Sequence, residues 1–386
     1  MKIIHLEATP VSVPYLHREV SSQVSRDGVT DIVLRLETDE GTIGWGEACS
    51  GADVSSVLAA VEAMRPFVIG ASPWDHAAVR ERLFLYGLWQ FRAPTGCFAF
   101  AGIEMAMWDL CGKEAGQPLY QLLGGAVRSS VNYFYYLSRG DDASLRDQCA
   151  DGLARGYSVF YLKVGLEDEA DERMVGTVRD ALGPGPALRL DANGTWTLPQ
   201  ARRMLQRLEP LDIDFVEQPV RDHPVENLAE LRRTSPVRVC ANEGLWSVPQ
   251  AYERIRSRQA DVYCFSTYWV GGLSSFRQLA LVADLEGTLV CKHTHGELGI
   301  AAAAGHHAML TLPNVVQGNQ QTAAMNEYDI LTEQLPISAG ADWGLPSRPG
   351  IGVDIDDGRL RQAAAYFSEH GQFLPYQPDA TTRLLA

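Results

Sequence analysis

The sequence predicts a two-part chain, an α+β unit followed by an α/β barrel with a closing tail, and three observations predict it. Residues 1–125 run as strands and then helices. The next two hundred residues alternate short β-branched runs with amphipathic helical stretches, and the apolar runs end on polar residues at a nearly constant interval. Strands followed by helices describe an α+β unit, whereas repeated strand–helix units imply a parallel sheet.

In the first unit, Ile3 to Val13, Thr30 to Thr38 and Thr42 to Glu47 read as antiparallel strands, with a turn at Asp39-Glu40-Gly41. Helical spacing begins at Ser55, carried by Val57, Val61 and Met64 and later by Phe100, Ile103, Met107 and Leu110, and it stops at Gly124-Gly125. The second unit offers eight strand candidates: Val131–Leu137, Ser158–Lys163, Ala187–Asp191, Ile213–Glu217, Val237–Ala241, Val262–Ser266, Thr288–Lys292 and Val315–Gly318. Helical segments such as Leu198–Leu208 and Val225–Arg233 fill the gaps. Eight successive units favour a closed barrel over an open sheet. The expected division is 1–125 for the cap, 126–341 for the barrel and 342–386 for a segment returning to the cap.

The chain has 386 residues and a net charge of −15, with 46% hydrophobic and 21% charged residues. This suits a globular protein and argues against a polyanionic partner, so neither nucleic acid nor a membrane surface is expected. Seven scattered cysteines without a CxxC pair suggest neither a disulfide framework nor a thiolate zinc site. No signal-peptide pattern opens the sequence, and a cytoplasmic location is expected.

Barrel chemistry gathers at the carboxyl ends of the strands. Lys163, Asp191, Glu217, Glu243, Ser266, His293 and Asn319 follow one another at 23–28 residues, one polar group per unit. Three carboxylates brought together need a cation to stay ionised, and an all-oxygen set favours Mg2+ over zinc, with Asp191, Glu217 and Glu243 as ligands. Taken singly, each acid would more often be a solvated loop residue or a helix cap, and three on consecutive strand ends shift the reading to metal.

Lys163 ends an apolar strand. Desolvation and a neighbouring metal ion would lower its pKa and make it a general base. A lysine paired with a carboxylate would instead stay charged and inert. Tyr161, on the same strand face, either donates to a substrate oxygen or packs. His293 is the imidazole placed by spacing to face the mouth, and His295 follows on the same side by alternation, where it would hold substrate. His306-His307 reads as outer structure.

These residues resemble the enolase superfamily, and within it the mandelate racemase/muconate lactonizing enzyme family. The carrying motifs are Gly44-Trp-Gly-Glu47, the stretch from Ala101 to Gly125 containing Met107-Trp-Asp-Leu-Cys-Gly-Lys113, Tyr161-Leu-Lys163, Leu190-Asp-Ala-Asn193, Phe215-Val-Glu-Gln-Pro219 and Gly271-Gly272. The resemblance implies a capping domain over a modified (β/α)7β barrel, Mg2+ on Asp191, Glu217 and Glu243, an enediolate formed by removing the proton α to a carboxylate, and a homo-oligomer.

Departures from the pattern bear on the reaction. The family's Lys-x-Lys is Tyr161-Leu-Lys163, and Ser266 stands where the family places a second lysine or the aspartate of a His–Asp dyad. The strand-eight acid position is Asn319 or Gln320, and Asn242 competes with Glu243 for the third ligand. One strong base and one imidazole suit dehydration of a hydroxy or sugar acid. A racemase, epimerase or cycloisomerase and a non-catalytic ligand-binding member are the alternatives. Substrate contacts are expected from Ser266, His295 and Asn319, and from the cap loops Tyr15–Asp27 and Ala48–Ser56, with His17, Arg18 and Arg26.

Overall fold

The computed structural model describes residues 1–22, 25–49, 53–86, 91, 94–294 and 296–374. In the cap, β1 (Ile3–Val20), β2 (Ser25–Thr38) and β3 (Ile43–Cys49) form an antiparallel sheet in that order, longer than the sequence suggests because β1 and β2 stay paired as far as Val20 and Ser25. Helices α1 (Val54–Val68), α2 (His76–Glu81), α3 (Thr95–Ala115) and α4 (Leu119–Leu122) follow.

The Gly-x-Gly of the motif at residues 44–47 has a packing cause. A Cβ on Gly46 would lie 2.1 Å from the Gly102 carbonyl of α3, and one on Gly44 would lie 2.4 Å from that of Ala106. Only glycine lets the strand lie this close to the helix. Asp109 of α3 then ties three segments together, accepting from the Trp45 and Ile351 backbone N–H groups and from Lys113.

The barrel sheet runs in unbroken parallel order through β5 (Tyr135–Leu137), β6 (Val159–Lys163), β7 (Ala187–Asp191), β8 (Ile213–Glu217), β9 (Val239–Ala241), β10 (Val262–Phe265) and β11 (Leu289–Lys292). A helix follows each strand: α5 (Asp142–Ala154), α6 (Asp168–Leu182), α7 (Leu198–Leu208), α8 (Glu226–Thr234), α9 (Val248–Arg256), α10 (Leu273–Leu285) and α11 (Gly299–Leu310). Local chemistry starts α7 and α9, where Thr197 and Ser247 accept from the Gln200 and Gln250 N–H groups and a proline occupies the first turn.

Two strand expectations need correction. The segment from Val131 to Leu137 is two elements, because β4 (Ser130–Asn132) pairs antiparallel with β12 (Asp342–Gly344) and only β5 joins the barrel. The eighth unit, Val315–Gly318, is a bridging segment rather than a ladder strand. It bonds to one sheet edge through Val290 and Val315 and to the other through Tyr133 and Asn319, which closes the barrel. After β12 the tail forms α12 (Asp357–His370), which lies against β1. The buried rings of His306 and His307 hold this tail by contacting the Gly344 and Ile351 carbonyls. No single described helix is long and apolar enough to cross a membrane.

Candidate active site

Strand alternation sorts the barrel residues. Leu188, Leu190 and Val216 pack outward with the helices, and Phe215, Cys240, Val262, Cys264, Cys291 and Val316 form a separate inner cluster. Phe134, Val159 and Tyr161 make a second inner cluster, with the Phe134 and Tyr161 rings stacked at 4.4 Å. Arg189 lies under the Phe215 ring and donates to the Gln317 and Gly318 carbonyls, anchoring the bridging segment.

At the strand ends, Lys163, Asp191 and Glu217 are register partners on three adjacent strands. Lys163 Nζ donates to Asp191 Oδ2 at 2.5 Å and to Asn193 Oδ1 at 3.1 Å, and the Tyr161 hydroxyl donates to the same Asp191 oxygen at 2.5 Å. Asn193, held in the left-handed region at φ 46°, donates to Glu243 Oε1 at 3.0 Å. Gln320 Nε2 donates to both Glu217 oxygens, at 2.9 and 3.1 Å.

The acids are electrostatically overloaded. Burial and the Asp191 charge push Glu217 well above the carboxylate range, and the same two causes bring Glu243 to about 7. Burial pulls Lys163 down, but Asp191, Glu19 and Glu217 outweigh it and hold the ammonium charged. The carboxylates set the field at this nitrogen, and the expected lowering of Lys163 depends on the positive charge of a bound metal ion. Glu243 Oε2 is buried and has no hydrogen-bond partner. An orphaned acid oxygen beside two further carboxylates and the Asn193 amide oxygen is a hard, oxygen-only donor set, and it fits a divalent cation such as Mg2+. Asn242 is committed elsewhere, its side chain to the Cys264 carbonyl and its N–H to Gln218.

On the far side of the barrel His293 follows β11, its ring stacked on Trp269 at 4.2 Å. Trp269 packs in turn on Trp246, and both line a cavity of about 830 Å3 shared with Phe84 and Phe98 of the cap. Ser266 accepts from the Tyr268 and Trp269 N–H groups, so its oxygen shapes the turn that positions Trp269.

Asn319 departs from expectation. Its amide spans Lys292, Asn132 and Val316 in the barrel seam, and Gln320 is the residue that reaches the acids. A one-residue shift in register exchanges the two faces. His17 and Arg18 are exposed and line a cavity of about 500 Å3 with Gln148 and Arg155, and Arg18 grips Asp27 with two bonds. His295 lies outside the described residues.

The cap loop Tyr15–Asp27 reaches the barrel mouth through residues that the sequence does not single out. Glu19 and Arg26 form a buried cross-strand ion pair at 2.6 Å, Tyr136 donates to Glu19 at 3.4 Å, and Ser22 donates to the Ala192 carbonyl beside Asp191. Only Arg26 among these had been singled out, and its guanidinium is spent on Glu19. Pairing across β1 and β2 at the hairpin end was the available signal.

Residues 8–124 match the mandelate racemase/muconate lactonizing enzyme N-terminal domain, and residues 144–359 match the enolase C-terminal domain-like family. The chain belongs to the mandelate racemase/muconate lactonizing enzyme family of the enolase superfamily. Its similarity to other members of the family extends along almost the whole length. The chain is 26% identical over 378 residues to N-succinyl-L-Arg/Lys racemase of Bacillus cereus, covering 95% of this chain and 99% of that one. It is 26% identical over 334 residues to arabinonate dehydratase of Saccharolobus solfataricus, covering 85% and 88%. A crystal structure of an enolase from Streptomyces coelicolor superposes with a TM-score of 0.86 at 30% identity, covering 97% and 100%. Such family members include racemases, epimerases, cycloisomerases and sugar-acid dehydratases.

Proposed function

We propose that this protein removes the α-proton of a hydroxy carboxylic acid and expels a β-hydroxyl, an Mg2+-dependent dehydration. The observation that carries the reading is the placement of Lys163 beside Asp191 and Glu217 on adjacent strands, with His293 on the opposite arc of the barrel. Asp191, Glu217 and Glu243 are the residues that would hold the ion. Bound there, Mg2+ would offset the Asp191 charge felt by Lys163 and stabilise the negative charge that develops on the substrate carboxyl group.

Lys163, as the free amine, takes the α-proton. Its buried stem and the Asn193 contact fix the nitrogen at the mouth. Tyr161 orients Asp191 and holds a hydroxyl beside the reacting carboxyl group. His293 as imidazolium gives its proton to the departing hydroxyl. No carboxylate stands at Ser266 to make it a strong base, which suits an acid better than a second base. The polar cap hairpin, with Ser22 and with Glu19 against Tyr136 of β5, suits a polyhydroxylated substrate, and the relative from Saccharolobus solfataricus is named for acting on arabinonate.

A library of sugar and hydroxy acids incubated with the protein and Mg2+ tests the reading by mass spectrometry. Loss of one water from an acid of the library is expected. Solvent deuterium entering the α-position without loss of water would replace dehydration by racemisation or epimerisation, the reaction named for the relative from Bacillus cereus.

A further inference from the structure

Below the carboxylates lies a second group of metal-ligating side chains that the proposed reaction does not use. Cys240, Cys264 and Cys291 occupy inward positions on β9, β10 and β11, with Cys264 and Cys291 directly paired in register. They are 24 and 27 residues apart, the same interval that carries the mouth residues around the barrel. No CxxC pattern exposes them, because the barrel rather than a local loop brings them together. All three are free and fully buried, and the Cys240 and Cys291 thiols donate to the Ala241 and Lys292 carbonyls at 3.6 and 3.7 Å.

The cluster continues directly into the mouth. Ligand atoms of Glu217, Cys240 and Cys264 all lie within 4.8 Å of one another. Gln320 Nε2 stands between the two layers, 2.9 Å from Glu217 Oε2 and 3.3 Å from Cys264 Sγ. An amide N–H directed at that sulfur marks it as an acceptor.

We propose that Cys240, Cys264 and Glu217, with Cys291 as a further sulfur, form a site for a soft, thiophilic divalent cation such as Zn2+ or Cd2+. Sulfur ligands disfavour Mg2+ in this layer and favour soft cations, and two thiolates with one carboxylate around a divalent ion make a monoanionic site of the kind zinc accepts. Binding replaces the Cys240 and Cys264 S–H protons with metal–sulfur bonds and releases both protons to the buffer. Glu217 serves both layers, so a thiophilic ion draws this carboxylate from the Mg2+ set. The site itself does not depend on the dehydratase reading.

The test is titration of the metal-stripped full chain with Cd2+, followed by the ultraviolet thiolate-to-cadmium charge-transfer band. One Cd2+ per chain with a band of at least two thiolates is expected. Cys264→Val and Cys240→Val, which keep side-chain bulk, should each weaken binding tenfold or more, and Glu217→Gln should do the same. Cys149→Ala, an isolated thiol in α5, should leave the band unchanged. Absence of a band in the unmodified chain would overturn the proposal, and so would a full band in a Cys264→Val protein that retains its circular dichroism. If that variant does not fold, Cys240→Val and the unmodified chain still decide. Mg2+ titration by calorimetry reads the oxygen layer separately, so loss of that reading is distinguishable from loss of this one.

Discussion

Among the described residues, the buried carboxylates at the junction of cap and barrel and those at the barrel mouth are handled differently. At the junction of cap and barrel, Glu47 accepts from the Leu298 and Ala301 N–H groups at the start of α11, at 2.7 and 3.0 Å, and Glu297 receives the Lys292 ammonium on both oxygens, at 2.6 and 2.8 Å. At the mouth, Lys163 is engaged with Asp191, Glu217 is held by the neutral Gln320 amide, and Glu243 Oε2 has no partner. Burial raises acids in both places. The junction meets its charge with helix N–H groups and an ammonium, so it serves as a clasp. The mouth leaves the Glu243 Oε2 oxygen without a partner, which fits the cation proposed there.

The sharpest way to separate the two is Lys163→Ala. If the mouth is catalytic, turnover of the substrate acid should fall by about 10³-fold, the usual scale for losing a general base, while the melting temperature changes little. Retained turnover would remove Lys163 from the mechanism. The corresponding change at the junction is Glu47→Ala. It leaves two buried N–H groups without an acceptor and should cost about 2–4 kcal/mol in a denaturant melt, with about half that in Glu47→Gln, whose single amide oxygen keeps one of the two bonds. A melt unchanged by Glu47→Ala would mean that the clasp is not what joins cap and barrel.

Mg2+ should act on one cluster only. At a hundredfold excess over its dissociation constant it should stabilise the protein by about 2.7 kcal/mol, and Glu243→Gln should lose that shift while Glu47→Gln keeps it. Equal shifts in both variants would place the ion elsewhere.

The uneven legibility of the sequence has physical causes. Asp191, Glu217 and Glu243 could be read because one polar residue per unit at a strand end is a one-dimensional signal of a three-dimensional ring. The same interval carries Cys240, Cys264 and Cys291, but a metal-binding cysteine set is legible in a sequence only when its spacing is local, and here the barrel supplies the proximity. Gln320 and Asn319 were separated only by the register of the bridging segment, where the alternation offers no anchor. The split of the first predicted barrel strand depends on β12, some two hundred residues away, and the contacts of Glu19 and Ser22 with the mouth depend on how the cap docks. Neither leaves a local trace.

The smallest expected effect, and the finest test of the contrast, is pH dependence at the clasp. Burial raises Glu47 to about 7, opposed by the Ala301 and Leu298 N–H groups and supported by Glu297, with the Asp31 side chain hydrogen-bonded to it and Cys49 at 3.5 Å. In the unfolded chain a glutamate titrates near about 4.3. Between these values the folded state binds more protons than the unfolded state, so stability falls as pH rises. The contribution is complete below about 4.3 and is lost as pH passes through 7. In saturating Mg2+, which fixes the charge of the mouth, the melts of the unmodified protein should therefore weaken from pH 5 to pH 8 relative to Glu47→Gln by on the order of 1 kcal/mol. Parallel curves would show that Asp31 and the helix N–H groups accommodate the Glu47 charge fully, and the clasp and the mouth would then differ in kind rather than in degree.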